Sequence, residues 1–138
     1  MFQKIENFKS NKSQDFYSDL TTNMVAHPNT KDLFTIKNNE SVKRSIKNLI
    51  LTDIYERPFS KIGGDVNSSL FENITPQTAG SLKKKIEICI SNYEPRAKVN
   101  EVIVRASPDQ NGYDVDIYFY TINILEVERL RLEIKRIR

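Results

Sequence analysis

The side chains through which this chain could do chemistry are few: one histidine, one cysteine and scattered carboxylates. A lone His27 excludes every multi-histidine metal site and any histidine relay. It stands before Pro28, a position biased to extended backbone. A turn-stabilising hydrogen bond is therefore expected of it, not catalysis. Cys89 has no second thiol for a disulfide or a metal pair. Its helical spacing with Ala79, Leu82, Ile86 and Ile90 makes it a small core residue. Glu72 and Glu94 are default candidates for a glycosidase pair, but nothing in their spacing sets their pKa values apart. No G-x-S-x-G elbow is present, and the Asp and Glu residues do not cluster as a calcium cage. Four glycines and no tryptophan leave little for a phosphate cradle or a base-stacking platform. No catalytic residue, metal site or cofactor is expected.

Binding chemistry is better represented. Tyr93-Glu94-Pro95-Arg96 presents a carboxylate and a guanidinium around a proline whose fixed φ stiffens the backbone. Such a corner suits a directional, hydrogen-bonded dock. It equally suits a local cap, with Arg96 on the last helix carbonyls and Glu94 solvated. The residues alone leave both open.

The elements that must carry these groups follow from length and pattern. The 138 residues fit one domain, and 38% apolar with 28% charged residues describes a polar globule, not a disordered chain or a membrane protein. No apolar run approaches the roughly 20 residues of a membrane span. The opening Met1–Lys9 lacks an apolar h-region, so no secretory leader is expected. The N-x-S/T matches at Asn11, Asn39, Asn67 and Asn73 are then chance occurrences. A net charge of +3 is small for a nucleic-acid binder.

Residues 1–22 show scattered aromatics without a period and read as an N-terminal arm that docks; 23–138 read as a single domain. Within it, Met24–Ile36 suggest a short irregular hairpin around Pro28–Asp32. Val42, Ile46, Leu49, Ile50 and Ile54 predict an amphipathic helix over about 40–54, capped from Asn38-Asn39. Its opposite face carries Lys43, Arg44 and Lys47, either solvated or docking to an acidic partner. Val66–Phe71 predict two helical turns behind Asp65, with Leu70 and Phe71 inward. Thr75-Pro76 predicts the start of a second long helix, whose core face ends at Tyr93 before Pro95. Val99–Arg105 and Tyr113–Ile122 alternate around a turn containing Asn111-Gly112, a β-hairpin. From Val127 the tail fits either a strand or a helix; a strand added to the hairpin is the preferred reading. The class is α+β: two main helices on a small antiparallel or mixed sheet, with a C-terminal hairpin plus edge strand.

Five stretches taken in order carry a resemblance. They are Arg44-Ser45-Ile46-Lys47-Asn48-Leu49, Glu56-Arg57-Pro58-Phe59, Gly63-Gly64, Leu70-Phe71-Glu72-Asn73-Ile74-Thr75-Pro76-Gln77-Thr78-Ala79 and Asn92-Tyr93-Glu94-Pro95-Arg96. Over about residues 24–135 the chain resembles the baseplate wedge, or sheath-initiator, proteins of contractile-tailed phages, a family with type VI secretion relatives. The resemblance implies a structural virion protein of the tail baseplate, assembled in the host cytoplasm in multiple copies with six-fold symmetry. It implies docking to other wedge proteins through Tyr93, Glu94, Pro95 and Arg96. It further implies that a sheet edge at Arg129, Leu130, Arg131, Leu132, Glu133 and Ile134 accepts strands of the tail sheath protein and so starts the sheath, with neither nucleic acid nor membrane as partner. The charged tail suits an edge kept soluble until a partner arrives. Some members carry a tail-lysozyme label and a distant branch acts as an anti-adapter. The alternatives to the wedge reading are thus a type VI secretion-like component and, further off, a tail-associated peptidoglycan hydrolase. On these grounds Arg96→Ala is expected to spare the fold and weaken wedge incorporation.

Overall fold

The computed structural model describes residues 15–136. Most of the expected N-terminal arm, and the last two residues, lie outside that range. In chain order the elements are β1 (Ser18–Leu20), β2 (Thr35–Lys37), α1 (Asn39–Leu51), α2 (Val66–Ser69), α3 (Pro76–Tyr93), β3 (Ala97–Ser107), β4 (Gly112–Thr121) and β5 (Ile124–Lys135). The architecture is α+β. β3, β4 and β5 form an antiparallel sheet in that order, and β1 pairs with β2 in a separate two-stranded ribbon. α3 lies on β3, while α1 packs against α3 and β5, so one face of the sheet carries the helices.

Periodicity explains this layering. Val42, Ile46 and Ile50 of α1 and Leu82, Ile86 and Ile90 of α3 are fully buried. They meet Val115, Ile117 and Phe119, the alternate residues of β4 that face the helices. Each such side chain contributes roughly 1.5–3 kcal/mol on burial. The tail is a strand, and its pattern shows why: Leu130, Leu132 and Ile134 pair opposite Ile117, Val115 and Tyr113 on the core face. Cys89 is a buried core residue whose thiol lies 3.4 Å from the Gly63 carbonyl oxygen, and burial pushes its pKa up to about 11.

Local chemistry sets the ends. Thr75 caps α3, its hydroxyl accepting from the Thr78 N–H at 3.2 Å while the Thr78 hydroxyl accepts from the Thr75 N–H at 2.9 Å, with Pro76 in the first turn. α1 stops at Leu51, short of the predicted Ile54, because Asp53 is held in a turn. Its N–H donates to the Glu56 carboxylate at 2.8 Å and its carbonyl accepts from the Glu56 N–H at 3.1 Å. Ile54 is consequently exposed. The returning loop crosses this end closely. The Gly64 N–H donates to the Thr52 carbonyl at 2.9 Å, and a Cβ on Gly64 would lie 2.7 Å from the Ile50 carbonyl oxygen.

Two further expectations need correction. α2 is a single turn, so Leu70 is buried but Phe71 faces outward beside the Arg136 guanidinium, 5.2 Å from its ring centroid. Asn38 precedes α1 without capping it through its side chain; its carboxamide oxygen accepts from the Phe16 N–H at 2.9 Å and ties the preceding segment down. The β3–β4 connection falls in the expected turn stretch, as a 3-10 turn, Pro108–Gln110, followed by Asn111 at φ 50°. Gly112 then begins β4, where a Cβ would lie 2.3 Å from the Ile134 carbonyl oxygen.

The irregular hairpin reaches further back than expected. Ser18–Leu20 pairs with Thr35–Lys37, the ladder resumes at Ala26 and Leu33, and the His27 N–H donates to Asp32 at 2.7 Å. The His27 Nδ1 accepts from the N–H groups of Asn29 and Thr30 at 3.3 and 3.4 Å, a turn-stabilising role.

Candidate functional site

Two places combine accessible backbone or charge with rigid support. The first is the corner after α3. Pro95 follows Glu94, which ends the helix with its N–H on the Ile90 carbonyl at 2.9 Å. The Glu94 side chain turns inward and is only 3% exposed. It accepts from the Ser45 hydroxyl of α1 at 2.5 Å, and from Arg96 Nε and Nη2 at 2.6 and 2.8 Å. Burial works against the charge, but the hydrogen bonds from Arg96 and Ser45 outweigh it and hold the carboxyl below its ordinary range. The Arg96 guanidinium also lies over the Tyr17 ring, 5.5 Å from its centroid.

Glu94 is thus neither solvated nor presented outward, and Arg96 donates to it. What the corner offers to solvent is Pro95, the outer edge of Arg96 and the half-exposed Tyr93. Tyr93, expected on the core face of α3, instead donates its hydroxyl to the Lys61 carbonyl at 3.4 Å. Beside the corner lies a cleft of ≈ 400 Å³ whose walls include Ser41, Asn48, Arg57, Tyr93 and Arg96.

The second place is β5. It is the last strand of its sheet, and among the described residues no strand pairs with its outer margin. Arg129, Arg131 and Glu133 point away from the helices and are exposed; Leu132 and Ile134 are buried on the other face, with Leu130 partly so. The start of the strand is fastened to α1. Glu128 pairs with Lys43 at 2.7 Å and accepts from the Asn39 carboxamide at 3.0 Å. The Lys43 hydrogen bond is the main cause holding the Glu128 carboxyl below its ordinary value.

Sequence reasoning missed a third group, which ties β5 to its sheet. Asp116, in the central strand, is 1% exposed although it lies on the helix-free face. Arg105 of β3 donates to one oxygen at 3.0 Å, and Arg129 of β5 donates to the other through Nε and Nη2 at 3.1 and 2.9 Å. Arg129 also lies over Tyr118, 5.9 Å from the ring centroid. Burial opposes the Asp116 charge, yet the two arginines prevail and the carboxyl is held below its ordinary value. The available signal was an acid at an outward position of an alternating strand, with arginines at outward positions of both flanking strands. Only the register joins them.

The two default carboxylates are placed unlike a general acid. A general acid needs a raised pKa, whereas Glu94 is lowered and shielded. Glu72 is exposed. Among the described residues no group of three or more His, Cys, Asp or Glu side chains could hold a metal ion.

Comparison with known proteins places the chain among its relatives. The family described as baseplate wedge protein gp25 matches residues 37–123, from the end of β2 through β4. The baseplate wedge protein gp25 of Enterobacteria phage T4 is 34% identical over 122 residues, covering 86% of this chain and 90% of that protein. A chain of the anti-feeding prophage baseplate superposes with a TM-score of 0.67 at 26% identity, covering 80% of this chain and 89% of its own. A protein described as a tail lysozyme from Geobacter sulfurreducens gives 0.63 at 19% identity, over 72% of this chain and 91% of that one. A chain of the postcontraction pyocin R2 baseplate gives 0.50 at 12% identity, over 81% and 97%. At those identities the last two speak to fold alone. The chain therefore belongs to the family of baseplate wedge protein gp25, structural components of the baseplate of contractile tails.

Proposed function

We propose that this chain joins the baseplate to the sheath, docking on other wedge proteins through the Tyr93–Arg96 corner and accepting an extended arm of the tail sheath protein along β5. It acts in multiple copies around a six-fold baseplate, and it does so without catalysis or a cofactor. The observation that carries this is the outer margin of β5. That margin is a row of backbone donors and acceptors on a strand held from behind by α1 and across the sheet by Asp116. Backbone pairing depends little on side chains, so one kind of subunit can template a ring of another. The corner supports docking in a particular form. Because Glu94 is buried with Arg96, the accessible surface is the outer edge of Arg96 with Tyr93 and Pro95, next to a cleft that also contains Arg57.

Site-specific photocrosslinking in assembled particles tests both halves. A crosslinker at Glu133 captures the sheath protein, and one at Tyr93 captures a wedge protein. Capture of wedge proteins alone from Glu133 removes the sheath-initiating role; capture of neither from Tyr93 removes the corner.

A further inference from the structure

The basic face of α1 and one residue of β5, Leu130, line a single groove. Leu130 of β5 and Ile36 of β2 contribute apolar walls, and Lys43, Arg44 and Lys47 line it along α1 together with Glu40. A strand added to β5 would run through this groove with one face toward α1 and the other toward the helix-free side. On the α1 side, Lys43 is paired with Glu128 and Glu40, and Arg44 approaches Asp19 at 4.0 Å. Lys47 is exposed and, among the described residues, makes no ion pair. On the open side Arg129 is held by Asp116, whereas Arg131 is exposed and likewise makes no ion pair among the described residues. Passing Leu130, an incoming strand therefore meets on each of its faces a cation that makes no ion pair among the described residues.

We propose that the arm which pairs with β5 is acidic at consecutive positions where it crosses Leu130, one carboxylate answering Lys47 and the next answering Arg131. Consecutive residues of a strand point to opposite faces, so two adjacent acids serve both cations at once. Directly opposed residues of unlike charge stabilise a strand pair, and like charges oppose it. The backbone ladder supplies affinity for any extended arm, and this charge match selects among arms and fixes where along β5 they settle. The inference rests on strand addition at β5, and its test separates the two ideas.

Three nine-residue Val/Thr peptides differ only at three central positions, which are all Glu, all Gln or all Lys. Each is titrated into the full 138-residue chain at low ionic strength, with hydrogen exchange reporting on residues 129–133. The Glu peptide protects β5 amides and binds about tenfold more tightly than the Lys peptide, with the Gln peptide between them, as expected for two exposed ion pairs. Added salt shrinks the spread. In the Lys47→Glu/Arg131→Glu double variant the order inverts. Equal binding and equal protection by all three peptides overturns the charge inference and leaves strand addition standing. Absence of β5 protection with every peptide overturns both.

Discussion

Glu94 and Asp116 are both buried carboxylates held by arginines, and they are built in opposite ways. Glu94 takes its arginine from two residues along the chain, through a proline that fixes the geometry, and reaches outside its own segment only for the Ser45 hydroxyl. Asp116 takes both arginines from other strands, 11 and 13 residues away in sequence. Glu94 is also shielded by its surroundings, with its arginine side chain 34% exposed, whereas the Asp116 arginines remain 59% and 51% exposed and roof it from solvent. A local pair pins one corner; a cross-strand pair depends on the whole sheet being in register, and in return it reports on that register.

Removing one member of each pair separates them most strongly. Arg96→Ala strands a buried carboxylate, so it destabilises the chain by about 3 kcal/mol and lowers Tm by about 10 °C. This revises the expectation drawn from sequence that Arg96 could be removed without harm to the fold. The double variant Glu94→Gln/Arg96→Gln recovers much of the loss, because neither side is then left as an uncompensated charge. Thermal melting of both variants checks this; a single variant as stable as the parent would mean that Glu94 is rehydrated at little cost.

Asp116→Ala costs about 2 kcal/mol, less than the corner, since both freed arginines already reach water. Its signature is regional: hydrogen exchange quickens in β5 and β3 while α3 amides stay protected. Uniform acceleration throughout the chain would refute the clamp assignment.

Acid sharpens the contrast further. Both carboxyls lie below their ordinary values of 4.5 for Glu94 and 3.8 for Asp116. Their contributions are complete above those values and disappear as pH falls through the lowered native ones. Stability is therefore level from neutral pH down to about 5 and declines below 4. In Glu94→Gln/Asp116→Asn the acid limb is flatter, which urea titration at several pH values measures.

Salt gives the smallest effect. Raising NaCl to about 0.5 M weakens the exposed Arg105–Asp116–Arg129 set more than the enclosed Glu94–Arg96 pair. The stability difference between parent and Asp116→Ala narrows, and that between parent and Arg96→Ala does not.

Much of the scaffold was legible in the sequence, because its signals are local. Thr75-Pro76 and Pro95 bracket α3, and the spacing of Val42, Ile46 and Ile50 sets the buried face of α1. The tail was ambiguous by pattern, and the sheet decided it, since Leu130, Leu132 and Ile134 find Ile117, Val115 and Tyr113 only as a strand. What sequence could not supply was anything that depends on distant segments meeting. Ser45 beneath Glu94, Arg105 and Arg129 around Asp116, and β1 paired with β2 are all of that kind. Phe71 and Ile54 went astray for a smaller reason: helical periodicity was extended one turn past where the backbone stops.

The placement of α1 has a mechanical consequence. Near its beginning it grips β5 through Lys43 and Glu128, and one position beyond Arg44 it grips the corner through Ser45 and Glu94. Traction applied to the final strand is thereby handed across less than one helical turn to the opposite attachment, with no compliant loop interposed. Under the proposed docking at the corner and along β5, the first turns of α1 would be the shortest path by which a pull at one contact reaches the other.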